Sequence, residues 1–254
     1  MIEQLPESPF WRYALEAKEL LEQVAKEVAG CEKCELHLSR KRSVPGEGPA
    51  NAEIMLIGEG PGFYENEQGR PFVGPSGQFL DELLHKAGLK RADVFICNVV
   101  KCRPPSNRDP QPDELAACRP YLDRQLEAIQ PRVIVTLGRY SMGHFLTNAK
   151  ISAIHGRASW VNGRLIVPMY HPAAALHQPA LRKDIEADFA NLPKMIAIAK
   201  QKLAEAQAAK APARPVDPPL ALHVEQLSLI GNEIEPEHNP EPPEKEGPKQ
   251  LSLF

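Results

Sequence analysis

Short apolar runs alternate along this chain with amphipathic stretches of helical period, and that alternation restricts the fold more than any other feature. The runs are Ile54–Ile57, Val94–Val100, Val133–Leu137 and Leu165–Met169. A strand solvated on one face alternates apolar with polar residues, whereas a nearly continuous apolar run belongs to a strand buried on both faces, as in a parallel sheet. Between the runs, Ser76–Ala87 puts Phe79, Leu80, Leu83 and Leu84 on one face, and Pro112–Ile129 and Ala180–Leu203 read as further helices. Residues 9–29 form another, with Ser8 as its cap, Pro9 at its first position, Gly30 at its end and Leu20, Leu21, Val24 and Val28 as its apolar face. The pattern predicts a three-layer α/β/α domain around a mostly parallel sheet. Ligands of such sheets bind at the carboxyl ends of the strands.

At 254 residues and 43% hydrophobic, the chain can bury one sizeable α/β core with appendages. No apolar run approaches the roughly 18 residues that a membrane span needs. The texture changes near residue 203. Residues 203–254 hold nine of the 26 prolines, and nine acidic against four basic side chains. That balance of −5 leaves +2 for the preceding 202 residues of a chain whose total is −3. We expect a folded domain over residues 1–202, mildly basic and able to meet phosphates, and a disordered tail over residues 203–254. No secretory leader is read, so a cytoplasmic, nucleoid-associated and monomeric protein is expected.

Four cysteines stand out: Cys31 and Cys34 as a C-x-x-C pair, then Cys102 and Cys118 with fifteen residues between them. In a reducing compartment such a set points to a metal centre rather than to disulfides. The wide second spacing does not suit a compact zinc ribbon, and a four-thiolate iron–sulfur cluster fits better. Cys97 reads as a buried free thiol.

The remaining chemistry clusters after the strands. Gly58-Glu59-Gly60-Pro61-Gly62 follows the first strand, and its glycines let backbone approach a ligand while Glu59 faces the crevice. By itself the segment reads equally as a tight turn with a solvated Glu, and it matches no phosphate-loop pattern. The loop runs on through Glu65 to Gly69-Arg70-Pro71-Phe72-Val73-Gly74, where Phe72 is either a core residue or a platform for a planar base. Asn98 is a carboxamide within a buried strand, able both to donate to and accept from a base edge, or simply a satisfied structural residue. Asn107 and Arg108 can reach phosphates. The loop Tyr170–Leu176 carries His171, and Leu176 stands out as an apolar residue of the kind that fills the stack left by a flipped base.

Taken in order, C-x-x-C, G-E-G-P-G, G-R-P-F-V-G, N-V-V-K-C-R-P-P, the downstream Cys and H-P-A-A-A-L resemble the iron–sulfur uracil-DNA glycosylases, family 4, over roughly residues 28–200. The resemblance implies uracil-containing DNA as substrate, an abasic site as product and entry into base excision repair. It implies that Glu59 orients the attacking water and stabilises charge on the sugar, and that His171 hydrogen-bonds the uracil oxygen. Gly58 and Gly60 would line the base pocket, Glu65 would help exclude a methylated base, Phe72 would stack on uracil and Asn98 would read its pairing edge. Arg108 and Leu176 would contact DNA. Cys31, Cys34, Cys102 and Cys118 would hold a [4Fe-4S] cluster. His155 sits where a related branch traps the sugar covalently, but the Arg-rich insertion of that branch is absent, so a rim or DNA-contacting role is expected.

The last five residues, Gln250-Leu251-Ser252-Leu253-Phe254, resemble the peptide that binds the bacterial sliding clamp, and Gln226–Ile230 is a second, weaker copy. Gln250, Leu251, Leu253 and Phe254 would make the contact. Two rivals remain at this stage: an iron–sulfur electron carrier, and a non-catalytic DNA-binding or clamp-adaptor protein.

Overall fold

The computed structural model describes residues 9–210. The Ser8 cap, both clamp-like peptides and most of the acidic tail lie outside the described residues. In chain order the structure forms α1 (Pro9–Ala29), α2 (Leu36–Ser39), β1 (Ile54–Gly58), α3 (Phe63–Gln68), α4 (Pro75–Lys86), β2 (Val94–Asn98) and α5 (Pro112–Ile129). It continues with β3 (Val133–Leu137), α6 (Arg139–Gly143), α7 (Ile151–Ile154), β4 (Ser159–Val161), β5 (Arg164–Met169), α8 (Pro172–His177) and α9 (Arg182–Lys210).

The five strands lie in the order β2-β1-β3-β5-β4. All pairs are parallel except β4 with β5. Side chains alternate across β1: Ile54 and Leu56 pack with α4 and α9, whereas Met55 and Ile57 pack with α5. Every residue of β1, β2 and β3 is buried, which is why these strands read as continuous apolar runs. The expected three layers are therefore present. Helix α1 packs onto α5 outside the sheet through Val24, Val28 and Tyr121, with Glu27 and Arg124 paired across them at 2.5 and 3.0 Å. No described helix is long and apolar enough to cross a membrane.

Several local expectations are corrected. Strand β2 ends at Asn98, not Val100, because the chain turns there toward the cysteines. Strand β4 was not expected; it is three residues long, only partly buried and pairs antiparallel at the sheet edge, so it leaves little apolar signal. The segment after Gly62 and the segment after His171 are short helices rather than loops. The last helix starts at Arg182, after a turn of 3₁₀ helix, and continues to Lys210.

One close approach ties the fold to the strand ends. A Cβ on Gly77 would lie 2.0 Å from the Phe72 carbonyl oxygen, so glycine alone lets the start of α4 rest on the backbone of Phe72. Gly77→Ala is expected to destabilise the domain by about 1–3 kcal/mol, the cost of overpacking, measured by urea denaturation.

Candidate active site

Because β1, β2, β3 and β5 run the same way, their carboxyl ends open on one edge of the sheet. An open cleft of about 440 Å³ lies there, within the roughly 300–1,000 Å³ of small-molecule sites. It is lined by Glu59, Gly60, Glu65, Phe72, Asn98 and His171, with Asp109 and Arg108 at its side. Residues from four separate segments thus converge.

Asn98 closes β2 directly opposite Gly58 of β1. It is 1% exposed. Its Oδ1 and Thr136 Oγ1 are the two buried side-chain polar atoms without a partner among the described residues. Leaving such a group unpaired costs about 1–3 kcal/mol. A Cβ on Gly58 would sit 2.4 Å from Asn98 Oδ1 and 2.7 Å from the Phe72 ring, so this glycine brings carboxamide and ring together.

Phe72 is buried and held at φ +50°, a backbone region that bulky residues avoid. Arg91 holds it there. Its guanidinium donates to the carbonyls of Pro71 at 2.6 Å and Phe72 at 3.2 Å and is anchored on Glu47 and Asp81 at 2.7 and 2.9 Å. The Phe72 and His171 rings stack with centroids 5.4 Å apart.

His171 caps α8. Its Nδ1 accepts the Ala173 N–H at 3.1 Å, so the ring proton of the neutral imidazole resides on Nε2. Burial lowers its pKa to about 4, with Glu65 opposing the shift. At neutral pH His171 is therefore an uncharged Nε2–H donor. Glu59 is moved the other way. Burial raises its carboxyl to about 7; repulsion from Asp109 adds to this and the Arg139 guanidinium offsets part of it. Asp109 and Arg139 form an ion pair beside it. Sequence reading missed both residues, since neither lies in a motif and only the fold brings them to Glu59.

Glu65 is buried, and its carboxylate accepts three backbone donors: Oε1 takes the N–H groups of Val73 and Gly74, both at 2.9 Å, and Oε2 that of Gly62 at 3.1 Å. It pins the Gly62 turn to the Phe72 loop while remaining in the cleft lining. Arg108, at the cleft side, forks its guanidinium onto buried Glu114 at 2.6 and 2.9 Å. Leu176, 50% exposed, sits on α8 beside the cleft rather than in its lining. His155 is absent from the lining; its Nδ1 meets Asp188 at 2.8 Å and its ring packs on Tyr170. It is packed between α7 and α9.

The four cysteines line a second, small cavity between α1, α2, the Lys101–Cys102 turn and α5. Cys102 accepts from Arg40 Nη1 at 3.5 Å, and Cys118 accepts the Lys101 backbone N–H at 3.2 Å. Burial raises the Cys34 and Cys102 thiols and pushes Cys118 up to about 11. Among the described residues no three His, Cys, Asp or Glu side chains gather closely enough to hold a metal ion. Four thiols spread round one cavity, with N–H donors on two sulfurs, suit a multi-atom cluster better than a single zinc.

A family model of the uracil DNA glycosylase superfamily matches residues 45–192. A type-4 uracil-DNA glycosylase of Sulfurisphaera tokodaii is 49% identical over 179 residues, covering 66% of this chain and 81% of that protein. One from Archaeoglobus fulgidus is 45% identical over 181 residues, covering 67% and 90%. One from Thermotoga maritima is 46% identical over 162 residues, covering 63% and 84%.

The shifted pKa of His171 gives a stability prediction. An unfolded imidazole takes up a proton near 6.5, while the folded ring stays neutral to about 4. Protonation between those values favours the unfolded chain, so stability falls as pH drops from about 6.5 toward 4. His171→Asn should flatten that decline in melting temperature. An unchanged slope would show that the ring is not held neutral.

Proposed function

Because this chain belongs to the type-4 uracil-DNA glycosylases it is a DNA glycosylase, and we propose that the strand-end cleft hydrolyses the N-glycosidic bond of a uracil flipped out of DNA. The observation that carries this reading is the buried carboxamide of Asn98 with its Oδ1 unpartnered among the described residues, in one cleft with a neutral His171 and a carboxyl that ionises near pH 7.

The roles follow from the chemistry of each group. The uracil ring lies against the Phe72 face. Asn98 Oδ1 accepts the ring N–H that lies between the two carbonyls, and its amide N–H donates to a neighbouring carbonyl. Cytosine has no such N–H and would leave Oδ1 buried and unpaired. As the glycosidic bond breaks, its electron pair leaves with the base. The His171 Nε2–H donates to the oxygen where that charge gathers, and a neutral donor keeps its own proton. The sugar is left cationic. Ionised Glu59 stabilises it and orients a water whose oxygen bonds the anomeric carbon, and the released proton ends on the uracil anion or in solvent. Asp109 and Arg139 tune Glu59. Glu65 and Arg91 act as positioning residues, through the Phe72 loop.

Cys31, Cys34, Cys102 and Cys118 would hold a [4Fe-4S] cluster, which supplies a cross-link rather than a step of the reaction. Uracil-containing DNA is the partner this assigns, in a cytoplasmic, nucleoid-associated setting, with Leu176 as the wedge at the vacated stack. Residues 250–254 are proposed to tether the enzyme to a sliding clamp, assisted by Gln226–Ile230.

Incubation with a uracil-containing oligonucleotide, then alkali, tests the enzyme. Strand breaks at the uracil are expected; loaded protein that binds DNA but yields none would favour the adaptor reading. Glu59→Gln and His171→Ala should each slow single-turnover release by about 10²–10³-fold, and Asn98→Ala should reduce discrimination against cytosine. Wild-type rates should fall as pH drops through about 7, where Glu59 takes up its proton, and Glu59→Gln should flatten this limb. Deleting residues 250–254 should weaken clamp pull-down and leave single-turnover cleavage unchanged.

A further inference from the structure

Lys101 is buried to 1% exposure, and no other lysine or arginine is buried among the described residues. Its ammonium donates to the Asn98 carbonyl oxygen at 2.8 Å and to Gln125 Oε1 at 2.6 Å. Gln125 is held in turn, its Nε2 donating to the Pro45 carbonyl at 2.8 Å. Both acceptors are neutral. Among the described residues no carboxylate pairs with this ammonium, and the buried acid Glu114 is paired with Arg108. A charge so placed is strongly disfavoured unless something negative compensates it.

The candidate counter-charge lies on the same turn. Cys102 is the next residue, and the Lys101 N–H donates to Cys118 Sγ at 3.2 Å. The cavity lining holds a second cation, Arg40, which donates to Cys102 Sγ at 3.5 Å and to the Cys31 carbonyl at 2.5 Å. As thiols, these sulfurs carry no charge. As ligands of a four-thiolate iron–sulfur centre they belong to a net anion, whose potential responds to nearby charge and hydrogen bonds.

We propose that Lys101 is the internal counter-cation of the iron–sulfur centre and links it to Asn98. This rests on the four-thiolate reading above. The cluster neutralises an ammonium that no carboxylate pairs with, and that ammonium grips the carbonyl of the base-reading residue. Cluster occupancy and the order of the Asn98 strand end are therefore coupled through one side chain. The positive charge also favours the reduced, more negative cluster. Lys101 is a positioning residue here and touches neither base nor sugar.

Two variants of the full chain, reconstituted anaerobically, test this. Lys101→Met removes the charge. Gln125→Glu keeps the lysine and its hydrogen bonds but supplies the missing carboxylate. In the loaded proteins both should lose iron to a chelator about 10-fold faster, in the range of lost outer-shell partners, and both should shift the midpoint potential to more negative values. In the iron-free proteins both should melt at or above the wild-type temperature, because a lone buried cation has been removed or paired. A purely structural lysine predicts otherwise: Lys101→Met lowers loaded and iron-free melting temperatures equally, and Gln125→Glu leaves potential and iron loss unchanged. That result overturns the proposal. If Lys101→Met does not fold, Gln125→Glu alone decides. A wild type that takes up no iron overturns the four-thiolate reading and this proposal with it, whereas loaded variants that match wild type overturn this proposal alone.

Discussion

The parallel pairing of β1 with β2 is the constraint on which the rest of the molecule depends. Its register sets Gly58 against Asn98, and the ladder continues past both strands: Val99 N–H donates to the Gly58 carbonyl at 3.0 Å and Val100 N–H to the Glu59 carbonyl at 3.1 Å. The same few hydrogen bonds therefore fix the backbone of Glu59, the carboxamide of Asn98 and the start of the turn that carries Lys101 and Cys102. A shift of one residue would turn Asn98 into the α5 face and Cys97 into the cleft, since side chains alternate. The separation of cleft and cysteine cavity is thus a consequence of register.

Burial does two opposite things within that cleft. It raises the Glu59 carboxyl and depresses the His171 imidazole, because a low-dielectric setting disfavours whichever form is charged. The result is a donor that is neutral and an acid that is poised, at the same pH, without a strong cation at the base. Rigidity comes from spent groups around them. Glu65 accepts three backbone N–H groups, and Arg91 gives its guanidinium to two carbonyls and two carboxylates. Those contacts hold Phe72 in a conformation that its own backbone preferences oppose.

Much of this was legible in the chain. Apolar runs located β1, β3 and β5 to within a residue or so, and the Pro112–Ile129 helix in full, because burial on both faces imposes an unbroken pattern. The short edge strand β4 was not legible, since a partly buried three-residue segment has no such pattern. Among site residues, those carried by motifs and strand ends meet in one cleft: Glu59, Phe72, Asn98 and His171. Asp109, Arg139, Arg91 and Glu47 went unread, because their partners are distant in sequence. The partners of Arg108 and Glu65 went unread too, because nothing local announces that Glu114 or three backbone amides will meet them.

The sequence by itself determined the layer architecture, the family and the inventory of chemistry-bearing residues, since hydrophobic period and motif order are properties of the chain. Which of those residues remain free to act was decided only in three dimensions. Charge and hydrogen-bond capacity are shared among neighbours that the fold supplies: Glu65 is drawn onto backbone amides and Arg108 onto Glu114, His171 is held neutral in one tautomer, and Asn98 alone among the buried carboxamides of the described residues is left with an unpaired oxygen. Lys101 shows the same point for the cysteines. Its charge is plain in the sequence, but only the tertiary structure buries it at the cysteine cavity with no carboxylate partner among the described residues.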